Sequence, residues 1–205
     1  MPNPIQRAIE SRVSVNYYDP DRTLSDDVIQ SLVAQATRAP SAYNFQNWRF
    51  IAVRSAQAKA RLKAVAYGQQ KVADASVAFI ICGTLAAHEK LARVLEPSVE
   101  AGIMDRQAAD NWKAQAVRAH AANPGLQRDE AIRSASLAAM TLMLAAEGMG
   151  LASGAMIGFD MDRLAQEFDL TAADVPAIVV TVGYPTAGNW PQKPRKPVTE
   201  VLELV

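Results

Sequence analysis

Cysteine occurs once in this 205-residue chain and histidine only twice. A lone Cys82 rules out an intrachain disulfide framework, and His88 and His120, 32 positions apart, offer no metal-ligand spacing. Charge of neither sign prevails: 21 lysines and arginines face 21 acids, so no overall field attracts a polyanion or an anionic membrane, and nucleic acid is not an expected partner. Long apolar runs are missing too. The charge-free apolar run Ser134 to Ala146 is too short to span a bilayer, and the opening MPNPIQRAIESR lacks the apolar centre of a signal peptide. A soluble cytoplasmic protein is therefore expected. Half of the residues are apolar, enough for one sizeable core, so residues 1–205 are expected to form a single domain.

The stretch Ala39 to Val53, APSAYNFQNWRFIAV, passes from helix to strand. The residue before proline is pushed out of the helical region, so the preceding helix should stop at Ala39. Ser41, Asn44, Gln46 and Asn47 then place four uncharged polar side chains before the strand-like Trp48–Val53. Amides carry donor and acceptor without charge, which suits the edge of a flat heterocycle. Ordinary turn chemistry explains the same composition, because Pro, Ser and Asn populate loops for backbone reasons.

Elsewhere, helix signals punctuate the chain. Asn3 caps a first helix over residues 4 to about 11, with Pro4 at its first position. The polar stretch after it carries Arg12 and Ser14, which could meet a phosphate or could simply be a surface arginine and a serine. Ser25, followed by Asp26 and Asp27, opens helix two, and Ser55 opens helix three, with Gly68 placed as its C′ residue. Ser76–Cys82 is a continuous apolar strand, implying burial on both faces, with Cys82 a packed small hydrophobe.

Residues 85–122 read as helical, broken at Pro97 and interrupted near Gly102. Within them Trp112 sits among alanines, and His88 and His120 are expected to be solvated. Asn123-Pro124-Gly125 reads as a turn. Asp129 then opens a helix apolar nearly all round, as expected at the centre of a fold or a dimer. The glycines from Gly148 to Gly154 follow that helix and precede a strand, so they are not a dinucleotide fingerprint. Asp160 caps another helix, Pro176–Pro185 is a buried strand, and a cationic segment, Gln192 to Pro197, leads into the apolar Val198–Val205.

In this order the segments resemble the flavin-dependent nitroreductase family along nearly the whole chain outside residues 85–128. Arg12 and Ser14 match its opening pattern, with Asn16 where a cation is usual. Pro40-Ser41-Ala42-Tyr43-Asn44-Phe45-Gln46-Asn47-Trp48 matches its Pro-Ser-x-x-Asn-x-Gln-Pro-Trp loop, with Asn47 in place of the proline. Asp74-Ala75-Ser76, Gly158-Phe159-Asp160, Gly183-Tyr184-Pro185 and Pro194-Arg195-Lys196-Pro197 match its later landmarks.

The resemblance implies an α+β fold with a mixed central sheet flanked by helices. It also implies a homodimer with FMN at the interface and a C-terminal tail, residues 186–205, reaching the partner. Arg12, Ser14, Asn16, Lys193 and Arg195 would surround the phosphate and ribityl region, and Pro40, Ser41 and Asn44 would come from the other subunit. Gln69 and Lys71 would face the pyrimidine edge, and Met156, Ile157 and Gly158 would offer backbone groups along the ring. No catalytic side chain is expected, because hydride chemistry belongs to the flavin. NADH or NADPH would be the electron donor and a nitroaromatic, quinone or similar small molecule the acceptor, in a ping-pong cycle under a helical cover formed by residues 85–122. The same fold hosts reductive dehalogenation, flavin cleavage and dehydrogenation, and the same clamp would serve a non-catalytic FMN carrier or sensor.

Overall fold

The computed structural model describes residues 3–205. Its helices are α1 (Pro4–Ser11), α2 (Asp26–Ala36), α3 (Ala56–Val65), α4 (Gln70–Asp74), α5 (Ala87–Glu100), α6 (Arg106–His120), α7 (Pro124–Gly148) and α8 (Met161–Glu167). Its strands are β1 (Trp48–Val53), β2 (Val77–Thr84), β3 (Ala152–Met156) and β4 (Asp174–Gly183), in sheet order β1-β2-β4-β3. Capping oxygens fix several helix starts as expected: Asn3 accepts from the Gln6 N–H in a full capping box, while Ser25, Ser55 and Asp160 accept from Val28, Ala58 and Arg163.

The α+β class is as expected, but the sheet is antiparallel at every strand pair rather than mixed. Two of the three pairs, β1–β2 and β3–β4, are consecutive strands whose helical connections return to the end they left, whereas β2 and β4 pair without a direct connection, β3 intervening in the chain. The parallel character is confined to one isolated bridge between Ser14 and Ser153.

The two-face burial of β2 follows from its pleat. Val77, Phe79 and Ile81 point to one side, against α2 and α7, where Leu32, Ala139 and Leu142 complete the cluster. Ala78, Ile80 and Cys82 point to the other, against α3, α4 and α8, through Leu62, Val65, Val72 and Leu164. Burial pushes the Cys82 thiol up to about 12, so it stays protonated and acts as a small hydrophobe.

Several boundaries differ from expectation. Helix α7 opens at Pro124, not Asp129, because the Asn123 side chain accepts from the Leu126 N–H and Pro124 occupies the first turn, the arrangement already used by Asn3 and Pro4. Pro97 does not break α5; it lies in the last turn, and the interruption falls at Gly102, φ 68°. At the end of α3 the cap is Ala66, so Tyr67 (φ 54°) takes the C′ position expected of Gly68, which follows it at φ 74°. His88 and His120 are buried rather than solvated. They stack at 6.1 Å between centroids in a satellite cluster of α5 and α6, and His120 Nδ1 lies 2.9 Å from the Ala116 carbonyl. Among the described residues no helix is long and apolar enough to cross a membrane.

Candidate cofactor site

The segment after α1 has no helix or strand of its own, yet it is firmly placed. Val15 and Tyr18 are buried; the Val15 N–H donates to the Ser153 carbonyl at 3.1 Å, and the Tyr18 hydroxyl lies 2.9 Å from Thr181 Oγ1. Burial raises the Tyr18 pKa, keeping the phenol neutral. With those two side chains pinned, the intervening Asn16 and Tyr17, and Ser14 just before them, are turned outward. Gly154 permits the close approach: a Cβ there would stand 2.6 Å from the Val15 carbonyl oxygen.

The C-terminal segment returns alongside this one. Arg12 and Ser14 from one end of the chain and Lys193 and Arg195 from the other line a single hollow of about 90 Å³ with Trp190 and Gln192. Three cations and a hydroxyl around so small a space form a donor set for a phosphate, whose oxygens accept from arginine forks, ammonium and hydroxyl alike. Among the described residues none of the three cations is in an ion pair, so no carboxylate competes for them. The Lys193 ammonium lies 4.8 Å above the Trp190 ring, a cation–π contact holding it at the rim.

A second hollow, about 190 Å³, is lined by Asn16, Tyr17, Gln69, Gln70 and Lys71, which joins the other end of the same segment to the start of α4. Desolvation lowers the Lys71 pKa from its ordinary value. Gln69 Nε2 donates to the Gly158 carbonyl at 2.9 Å, tying this hollow to the turn after β3. In that turn the Met156 side chain is buried in the core, whereas Ile157 is 76% exposed, so only the backbone of residues 156–158 combined with the Ile157 side chain can meet a ligand.

Pro40, Ser41 and Asn44 line neither hollow; they sit in the loop between α2 and β1. That loop is strained, with Tyr43, Asn44 and Gln46 at φ 50°, 56° and 48°, and Ser41 Oγ accepts from the Gln46 N–H at 2.9 Å. Asn47, one of the amides expected to read a ligand edge, is instead buried, with Nδ2 donating to the Thr84 carbonyl at 3.3 Å. Tyr43 packs against α6, at 6.1 Å from Trp112 and 6.2 Å from His120 between ring centroids.

A sequence profile of the nitroreductase family matches residues 9–184, from α1 through the end of β4. The chain belongs to the nitroreductase family. Within it, the chain is 33% identical over 175 residues to the Bacillus subtilis protein named "Putative NAD(P)H nitroreductase YodC", covering 85% of this chain and 86% of that protein. It is 31% identical over 195 residues to a "NADH dehydrogenase" of Thermus thermophilus, covering 93% and 91% of the two chains. A Staphylococcus epidermidis structure described as a "putative NAD(P)H:FMN oxidoreductase" superposes with a TM-score of 0.92 at 25% identity, over 100% of this chain and 97% of the other. The nitroreductase profile ends at Tyr184, short of the tail that completes the cationic hollow.

Proposed function

We propose that this nitroreductase-family chain binds FMN and passes reducing equivalents from NADH or NADPH to a nitroaromatic, quinone or similar small acceptor. The observation that carries the reading is the convergence of Arg12, Ser14, Lys193 and Arg195 on one hollow, with Asn16, Gln69 and Lys71 on the next hollow along the same segment. The two sets of side chains suit a ligand with a dianionic phosphate at one end and a polar ring at the other. FMN, when bound, supplies the hydride chemistry.

Arg12, Lys193 and Arg195 neutralise the phosphate, and Ser14 donates one hydrogen bond to it. Lys71 sits at the polar ring edge, where a half-desolvated ammonium stabilises negative charge more strongly than one in water. The 156–158 turn offers backbone groups, fixed by the Gln69 bond to Gly158. Donor and acceptor use one slot in turn, which gives ping-pong kinetics, and α5 with α6, where Trp112 packs on Tyr43 of the α2–β1 loop, would cover the slot that this loop helps to build in the partner. Purified protein mixed with FMN is expected to turn yellow, retain the colour through gel filtration and oxidise NADH or NADPH faster when a quinone is added. Protein that neither retains FMN nor oxidises either nucleotide would overturn the reading.

The site is completed by a second copy of the chain. Pro40, Ser41 and Asn44 lie away from both hollows, as expected of residues that serve the partner's cofactor. Leu137 and Met140 are exposed on α7, and Val198, Val201, Leu202 and Leu204 are each more than half exposed at the end of the chain. Of the tail, residues 186–205, the part up to Arg195 stays on its own chain beside Arg12–Tyr17, and the apolar end beyond Pro197 reaches across to the other subunit. Sedimentation equilibrium at micromolar concentration is expected to give twice the 22.1 kDa chain mass. A stable folded monomer would remove the shared site.

A further inference from the structure

The side chain of Asn189 uses its whole hydrogen-bonding capacity on the backbone beneath the two hollows. Its Oδ1 accepts from the N–H groups of Asn16 at 2.8 Å and Tyr17 at 3.1 Å, while Nδ2 donates to the carbonyls of Tyr17 at 2.9 Å and Thr186 at 3.0 Å. Gly188, at φ 95°, makes the turn that brings the amide back onto this segment. Three residues further on, Gln192 Nε2 donates to the Arg12 carbonyl at 3.1 Å, and Gln192 Oε1 accepts from Arg195 at 2.9 Å. The two amides thus tie the tail to both ends of the stretch Arg12–Tyr17.

We infer that Asn189 is a positioning residue of the cofactor site, holding Asn16 and Tyr17 of one hollow in register with the cationic tail that lines the other. The inference rests on the FMN reading above. Asn189 lines neither cofactor hollow and touches no group in them directly except through the backbone of Asn16 and Tyr17. The segment keeps its place in the fold through other residues, Val15 and Tyr18, which are buried and bonded to the β3–β4 edge. Loss of the amide therefore frees Asn16, Tyr17 and the tail without removing a core contact. The binding cost arises because the loosened segments must be ordered by the ligand instead of beforehand.

The test compares wild type, Asn189→Ala, Asn189→Asp and Gln192→Ala as full-length protein. FMN affinity is read by quenching of flavin fluorescence, amide exchange is followed over residues 12–17, and the thermal midpoint of the apoprotein is measured. Asn189→Ala is expected to weaken FMN by about tenfold and to speed exchange at Asn16 and Tyr17 in a folded protein. Asn189→Asp keeps the acceptor for both N–H groups but turns an oxygen in place of the donor toward the Tyr17 and Thr186 carbonyls, so it is expected to restore part of the protection at Asn16 and Tyr17 and less of the affinity. Gln192→Ala, a change on the exposed tail, is expected to give a smaller loss of affinity with the fold intact. Unchanged FMN affinity in folded Asn189→Ala, or weakened affinity with amide exchange at Asn16 and Tyr17 unchanged from wild type, would overturn the positioning role. Failure of wild type itself to bind FMN would instead sink the functional reading, so the two are separable.

Discussion

Gly83→Ala is expected to destabilise the protein by about 3 kcal/mol or more, the upper end of overpacking costs. Gly83 lies near the end of β2, where α7 crosses the sheet. A Cβ built there would stand 2.0 Å from the Ala131 carbonyl oxygen, 2.2 Å from its carbonyl carbon and 2.6 Å from its Cα. All three are backbone atoms of a helix, so no rotamer change relieves the clash. Relief would need α7 to lift off β2, which would open the cluster that joins Phe79 and Ile81 to Ala135, Ala139 and Leu142. Trimming the neighbour does not help either, because Ala131→Gly leaves the offending atoms in place. Gly148→Ala is the matched control: nothing lies within 4 Å of its added methyl and its φ is not positive, so it should be neutral or stabilising by up to about 1 kcal/mol. Urea midpoints with unchanged slopes read both effects. Gly83→Ala within about 1 kcal/mol of wild type would show that the β2–α7 contact is looser than drawn, since overpacking of a rigid contact costs at least that much.

The features legible in the sequence were those whose physics is local. Helix caps at Asn3, Ser25, Ser55 and Asp160 announce themselves because the capping oxygen and its target N–H are three residues apart. The unbroken apolar run of β2 told of two buried faces for an equally local reason. The start of α7 was also written locally, as a second Asn-Pro cap, but the glycine after it favoured a turn. What stayed hidden depends on distant partners. His120 is buried because Tyr43 and Phe45 arrive from another part of the chain and pack on α6, and His88 of α5 stacks on His120 in turn, so spacing along either helix carries no trace of it. Asn189 bonds to groups 172 and 173 residues away, so in sequence it is one more polar residue in a Gly-Asn turn. Trp190 left a fainter signal: an indole in an otherwise polar, proline-rich tail, 67% exposed, has little reason to be there except a ligand or a partner. The cationic cluster is visible in the sequence only as a family resemblance, and its closure needs the tail to return beside α1, which no local rule predicts.

Loss of Arg195 is expected to yield folded but colourless protein, with FMN binding weakened by about one to two decades from the loss of a charge-assisted hydrogen bond or two. Asn16 stands where a further cation is usual, so the dianionic phosphate depends on Arg12, Lys193 and Arg195. Among these Arg195 is the best prepared. Its Nη1 donates to the Lys193 carbonyl and its Nη2 to Gln192 Oε1, both at 2.9 Å, so the guanidinium is aimed before any ligand arrives. Pro194 and Pro197 restrict the backbone on either side, and a planar fork can hold two phosphate oxygens where an ammonium acts as a point charge. Lys193 is held instead by the Trp190 ring and keeps its rotatable stem, so Lys193→Ala should cost less, as should Arg12→Ala. Arg195→Lys should recover only part of the loss, since it restores charge without the fork. Arg195 is exposed and in no ion pair among the described residues, so its removal should leave the urea midpoint unchanged. Titration of apoprotein with FMN for the four variants and wild type, with circular dichroism to confirm folding, orders the contributions. Equal affinity in wild type and Arg195→Ala would mean that the tail does not carry the phosphate and that Arg12 and Ser14 hold it alone.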